Sequence, residues 1–237
     1  MGKNLIQQKR GKGSPTYRSP SFRYKGGAKH NKLSDVTING KIIDLIDCPG
    51  HTAPLAQIKY ENGEEILMIA PEGVRVGEAV QAGIKATVKN GNIVPLKNIP
   101  EGTSIYNIES KPGDGGKFVR TSGGFARIVS KVRDGVIVRL PSNKQKTFQS
   151  ECRACIGAVA GSGRTEKPFI KAGNRYYAMK AKNKLYPSVS GTSMNSLSHP
   201  FGGSSSATKG RPTQSSRNAP PGRKVGKIAP KRTGMRR

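Results

Sequence analysis

Between residues 33 and 170, apolar and polar side chains alternate with a period of two, and turn residues recur at short intervals. That is the pattern of short strands rather than helices. Residues 41–47 predict one strand. Residues 54–61 and 65–70 predict a pair joined through Asn62-Gly63, the strongest short hairpin signal. Residues 74–81 and 84–89 predict two more, the latter closing at Asn90-Gly91. A second series starts at 103–109, continues through 125–132, turns at Asp134-Gly135 and returns over 136–140. Residues 145–149 and 154–160 complete it. Strands of this length, with no long helix, point to an all-β fold of two small barrels or one sandwich. The two prolines and the glycine in residues 95–102 mark a boundary and favour two barrels, near the lower size for independent folding.

Outside this region the alternation disappears. Of 47 Leu, Ile, Val and Phe residues, 38 fall within 33–170. The 237-residue chain has a formal charge of +28, and that charge is unevenly placed. Residues 1–32 hold nine basic side chains and residues 171–237 hold fifteen, with no carboxylate in either; the middle carries 18 basic against 14 acidic residues, a net of +4. Arms this poor in apolar residues cannot offset the entropy of ordering and are expected to be disordered alone. The expected organisation is a basic N-terminal arm over 1–32, barrels over 33–95 and 96–170, and a basic C-terminal extension over 171–237.

The same charge would make a free protein stick to any polyanion, and reads as that of a chain always bound to one. Tyr17, Phe22 and Tyr24 are interleaved with Arg18, Arg23 and Lys25, and Tyr176, Tyr177 and Tyr186 with Arg175, Lys180 and Lys184. Cations neutralise phosphates while rings offer faces to unpaired bases, so the arms read as RNA-binding. The longest apolar run, Ile66-Leu-Met-Ile-Ala70, is far short of the ~18 residues of a membrane span, and no membrane partner is expected. Three cysteines and no N-x-S/T sequon point to a reducing, intracellular setting.

Catalytic and metal motifs mostly fail. Gly113-Asp-Gly-Gly-Lys117 has Lys111 where a phosphate loop needs its first glycine and Phe118 where it needs a hydroxyl. Its glycines read instead as a turn bringing backbone N–H groups near RNA phosphate. Cys152-x-x-Cys155 with Cys48 and His51 makes a Cys₃His set on paper, but the second half lacks the composition of a finger. The cysteines read as buried small hydrophobes, with no metal and no cofactor. His199 opens His199-Pro-Phe-Gly-Gly203, where Pro200 disfavours helix and Gly202-Gly203 permits close approach. No carboxylate lies within thirty residues of it, so RNA packing is favoured over catalysis.

The segments Ser193-Met-Asn-Ser-Leu-Ser-His-Pro-Phe-Gly-Gly203 and Ser216-Arg-Asn-Ala-Pro-Pro-Gly-Arg-Lys-Val-Gly-Lys-Ile-Ala-Pro-Lys-Arg-Thr-Gly234 closely resemble the C-terminal part of the universal large-subunit ribosomal protein two family. The likeness extends through residues 95–102, 107–116 and 152–157 and forward from 11–20. The short start looks like the archaeal and eukaryotic branch. The resemblance implies an OB-fold-like RNA-binding barrel followed by an SH3-like barrel, with long irregular arms threaded into large-subunit rRNA. It implies a structural, non-enzymatic protein of the cytoplasmic ribosome that supports the peptidyl-transferase centre, subunit association and tRNA placement. The implied partners are large-subunit rRNA, other ribosomal proteins and small-subunit rRNA at the subunit interface. In the family, the histidine matching His199 is tied to peptidyl transfer, which makes His199 a candidate for indirect support of that step. The chain departs from the pattern at Ser196, Leu197 and Ser198, where the family commonly ends in an acid, and at Ser204, where it has a third glycine.

The residues expected on rRNA follow. The barrels offer Lys117, Arg120, Arg153 and Arg164, with Gly123 and Gly124 allowing close approach. The N-terminal arm offers Arg10, Lys12, Arg18 and Arg23, with Tyr17 and Tyr24 for stacking. The C-terminal arm offers His199, Gly202, Gly203, Arg211, Arg217, Arg223, Lys224 and Arg232. Arginine suits such places through bidentate phosphate contacts and base-plane stacking. A non-specific DNA-compacting protein is the alternative reading.

Overall fold

The alternating region folds into ten strands. β1 (Ile38–Ile46), β2 (Leu55–Tyr60), β3 (Glu65–Ile69), β4 (Ala79–Ala82) and β5 (Ile93–Pro95) come first. β6 (Ser104–Tyr106), β7 (Ala126–Val132), β8 (Gly135–Arg139), β9 (Gln145–Phe148) and β10 (Arg153–Ile156) follow. The computed structural model describes residues 2–33, 36–203 and 212–231. The chain divides into two units: Ser21–Pro168, which holds all these strands, and Met1–Pro20 together with Phe169–Arg237.

In the first unit the strands run side by side as β3-β2-β1-β4-β5-β10-β6-β7-β8-β9. Ile42, Leu55, Ile58, Met68 and Ile69 build one core, completed by Tyr106, Cys155 and Val159 from far downstream. Val94, Leu96, Ile105, Ile128, Val138 and Phe148 build the other. β10 is the partition between them. Because alternate side chains point to opposite faces, Cys155 enters the first core while Ala154 and Ile156 enter the second. The architecture is all-β, an OB-type barrel followed by an SH3-like barrel.

Both hairpin signals form turns. Asn62-Gly63 joins β2 to β3, with Gly63 at φ +81° and the Asn62 side chain accepting from the Glu64 N–H. At the second turn Val132 pairs with Gly135, where a Cβ would strike the Phe148 carbonyl oxygen. Residues 84–89 are turns and bends rather than a strand. Side chains take over the backbone pairing there: Lys85 N–H donates to Thr37 Oγ1, Thr87 N–H to Gln81 Oε1, and Asn98 Nδ2 to the Ile84 carbonyl. Strand β5 instead falls at the start of the expected boundary.

The arms are organised differently from expectation. Residues 21–33 belong with the barrels: Ala28 and His30 are buried, Lys29 N–H donates to the Leu67 carbonyl, and His30 N–H to Gly115. The outer part of the N-terminal arm joins the C-terminal arm in the second unit. That unit holds α1 (Ile6–Gly11), α2 (Ala172–Ala181), the short parallel pair β11 (Gln214–Ser215) and β12 (Lys227–Ile228), and a small core of Leu5, Phe201 and Val225. Helix α2 lies where irregular chain was expected; it buries none of its residues and so leaves no apolar stripe to read. Among the described residues no helix is long and apolar enough to cross a membrane.

Candidate nucleic-acid interface

Arg153 departs most from expectation. Proposed from sequence as a phosphate contact, it is only 6% exposed. Its Nη2 donates to Glu109 Oε1 at 2.8 Å and its Nη1 to Asn31 Oδ1 at 3.1 Å, while its own backbone N–H reaches Glu109 Oε2. The guanidinium is consumed inside the fold, so Arg153 leaves the phosphate set. Burial works to raise the Glu109 carboxyl, but hydrogen bonds and charge from Arg153 outweigh it and hold the group below the ordinary range. His30 lies beside this pair, its Nε2–H donating to the Asn107 carbonyl at 2.7 Å. Burial, reinforced by Arg153, pushes its pKa down to about 4.

The glycine-rich turn is likewise satisfied from within. Gly113 and Gly115 N–H groups donate to Glu109, and those of Ser110, Lys111 and Gly116 donate to Asp114. The chain's own carboxylates fill the place an external phosphate was expected to take. Lys117 is exposed, with Nζ 3.4 Å from Asp114. Arg120 is half-buried; its guanidinium donates to the Gly116 and Ala28 carbonyls and pins the strap of residues 21–33 against the turn. The glycines at 123 and 124 are required by the fold itself. A Cβ on Gly123 would meet the Ser162 backbone at 2.7 Å, and one on Gly124 the Thr121 carbonyl oxygen at 2.9 Å. Exposed Arg164 donates through Nε to Ser122 Oγ at 2.6 Å, which ties residues 162–165 to the Gly123-Gly124 turn. Arg23 is exposed, its guanidinium 5.4 Å from the Phe22 ring centroid, and Tyr24 packs against Gly50.

In the second unit Arg10, Lys12, Arg18 and Arg217 are exposed, and Tyr17, Arg223 and Lys224 are half-buried. Arg223 Nη1 is a buried donor without a hydrogen-bond partner among the described residues. Arg10 and His199 are brought together around a cavity of about 160 Å³. The Phe201 N–H donates to His199 Nδ1 at 3.0 Å, which leaves the imidazole proton on Nε2, and burial lowers the pKa. Gly191 has no room for a Cβ under the imidazole, and Gly202 none beside the Met194 and Asn195 carbonyls. Gly203, at φ +91°, donates to the Met194 carbonyl at 2.9 Å. The sequence of this unit contains no carboxylate, so His199 is a neutral, positioned N–H donor with no acid to orient it. Arg211 and Arg232 lie outside the described residues.

The three cysteines are free and buried. Cys152, just before β10, enters the second core and Cys155, on β10, enters the first, so the two side chains lie in different cores and do not converge as half of a tetrahedral site. Cys48 Sγ lies 3.3 Å from His51 Nδ1. Among the described residues no three His, Cys, Asp or Glu side chains gather as metal ligands.

The sequence reading passed over Phe125, Arg127 and Arg139, which share an open pocket on the second barrel. Part of their signal is the two-residue spacing of exposed Phe125 and Arg127 at the start of β7; Arg139 comes from the neighbouring β8. A surface of exposed arginines, lysines and rings is suited to holding a polyanion.

Comparisons with known proteins agree with that chemistry. Residues 2–82 match the family model described as Ribosomal Proteins L2, RNA binding N-terminal domain, and residues 89–222 match that for Ribosomal Proteins L2, C-terminal domain. The chain is 52% identical over 241 residues to the large ribosomal subunit protein uL2 of Methanothermobacter thermautotrophicus, covering 100% of both chains. It is 52% identical to the protein of the same name from Archaeoglobus fulgidus, again covering 100% of both. With that of Halorubrum lacusprofundi it shares 52% identity over 99% of this chain and 98% of the relative.

Proposed function

The chain belongs to the ribosomal protein L2 family, and from that premise we propose that it is a structural, rRNA-binding constituent of the large subunit of the cytoplasmic ribosome. It catalyses no reaction of its own. Its partners are large-subunit rRNA and neighbouring ribosomal proteins, with small-subunit rRNA at the subunit interface, and it supports the peptidyl-transferase centre and tRNA placement. The observation that carries this reading is the second unit: both arms meet in a body whose sequence has no Asp or Glu, around a core that among the described residues has three buried apolar side chains. Such a body needs a polyanion to complete it.

The rRNA contacts proposed are Lys117, Arg164 and Arg23 from the barrel unit, with Arg120 through its remaining exposed edge. Arg10, Lys12, Arg18, Arg217, Arg223, Lys224 and His199 serve from the arm unit, with Tyr17 and Tyr24 as stacking faces. Gly123, Gly124, Gly202 and Gly203 act by holding their loops in shape. The test is a filter-binding titration of the full chain against large-subunit rRNA and against random duplex DNA at matched salt. A DNA-compacting protein would treat the two alike, with log K on duplex falling at a slope near ~ −9 against log salt for ten phosphates. Marked preference for rRNA is expected; equal affinity would sink the ribosomal reading.

A further inference from the structure

The pocket beside the Gly123-Gly124 loop has features that neither the cores nor the proposed phosphate contacts explain. It encloses about 430 Å³, within the ~300–1,000 Å³ usual for ligand sites. Arg127 on β7 and Arg139 on β8 stand directly opposite each other across the strand pair. Like charges in that relation repel, and among the described residues neither arginine pairs with a carboxylate. No acidic residue lines the pocket. Phe125 is 44% exposed at its edge, with the Arg127 guanidinium 5.6 Å from the ring centroid. Arg139 is aimed by a 2.9 Å hydrogen bond from Nη2 to Asn143 Oδ1. The adjoining loop is tied by backbone hydrogen bonds from the Gly123 N–H to the Val159 carbonyl and from the Gly124 N–H to the Thr121 carbonyl.

A repelling cation pair calls for an anion between its members, and an exposed ring beside it calls for a flat apolar partner. The geometry points to a pocket for a single unpaired RNA nucleotide, its base stacked against Phe125 and Arg127 and its phosphate held by Arg127 and Arg139. Stacking and phosphate neutralisation are the two terms by which proteins hold single-stranded RNA. Lysine would supply the charge but not the planar surface that continues the Phe125 ring. This inference rests on the rRNA-binding reading and locates one contact within it.

The test uses the full chain and full-length large-subunit rRNA, with affinity measured over a salt series and base reactivity mapped by chemical probing. Phe125→Leu should weaken binding ~5- to 150-fold, the loss of one stacked base, with the salt slope unchanged. Phe125→Tyr should retain wild-type affinity. Arg127→Gln and Arg139→Gln should each lower the salt slope by about one. Arg127→Gln should also raise the melting temperature of the RNA-free protein at low salt, because it relieves the repulsion, and this confirms that the variant folds. One unpaired base protected by wild type should become reactive with Phe125→Leu. If wild type binds and these variants match it, or if no base reactivity changes because an acidic protein segment fills the pocket, the nucleotide pocket is overturned while the ribosomal reading stands. Absence of rRNA binding by wild type would overturn both.

Discussion

His30, Glu109 and Arg153 meet where the strap of residues 21–33 crosses the sheet beside β10, and Arg153 lowers the pKa of both the imidazole and the carboxyl. Replacing Arg153 by Met strands the Glu109 carboxylate, which is 0% exposed. Breaking a buried pair from one side costs about 3–5 kcal/mol. Urea denaturation should show that loss for Arg153→Met, and adding Glu109→Gln should recover much of it. Folded Arg153→Met should bind rRNA as wild type does, since its guanidinium faces inward. His30 gives the pH dependence. Its folded pKa, about 4, lies below the ordinary 6.5, so the unfolded chain takes the proton first. Stability therefore falls as pH drops through 6.5 and levels off near 4, a loss of up to ~3 kcal/mol. The depressed Glu109 carboxyl acts in the same direction at still lower pH. Facing His30 besides these are Arg120 and Cys155; burial pushes the Cys155 thiol up to about 12, so it stays neutral throughout. His30→Gln keeps a donor for the Asn107 carbonyl and should flatten the stability profile between pH 6.5 and 4 in urea titrations. A persisting slope there would place the titrating group elsewhere.

Among the elements, α2 is held by little: no N-cap side-chain hydrogen bond, no acidic residue in its first turn and no buried residue. A Cβ at Gly173 would meet nothing within 4 Å. Gly173→Ala should therefore stabilise the helix by about 1 kcal/mol, slowing amide exchange over Ala172–Ala181 roughly fivefold. The sequence pattern locates the hairpins because Asn62-Gly63 and Asp134-Gly135 act within a few residues. It misses α2 because an element that buries nothing has no periodicity. It misses the pairing of Arg127 with Arg139 for a different reason. The tight turn alone would set Arg127 opposite Leu140, but the register shifts between Ile128 and Ser130 and moves Arg127 against Arg139. A bulge inserts one unpaired residue, and nothing local announces it. Arg153 is misread because Glu109, its partner, lies 44 residues away. The basic composition that identifies the arms as RNA-binding makes every arginine look like a phosphate contact, including the one the core uses.

For the whole molecule the division into two units predicts a division of stability. The barrel unit has two cores, whereas the arm unit has Leu5, Phe201 and Val225 to hold many exposed lysines and arginines. Limited trypsin digestion of the free protein should cut first within 1–20 and 169–237 and leave a resistant fragment spanning 21–168. Large-subunit rRNA should protect the arms; equal resistance of both units without RNA would contradict this division. The position of β10 matters in another way, for the order in which the chain is made. It is the last strand of the barrel unit to be synthesised, yet it lies between β5 and β6, and Val159 just beyond it completes the first core. A growing chain that has already made β1 to β5 must keep that barrel open until residues 153–159 emerge, on the order of several seconds later at ordinary elongation rates. Throughout that interval β5 presents an unpaired edge to every neighbouring nascent chain. Premature termination before β10 thus yields two unfinished barrels rather than one finished and one missing, and quality control would meet an all-or-none product.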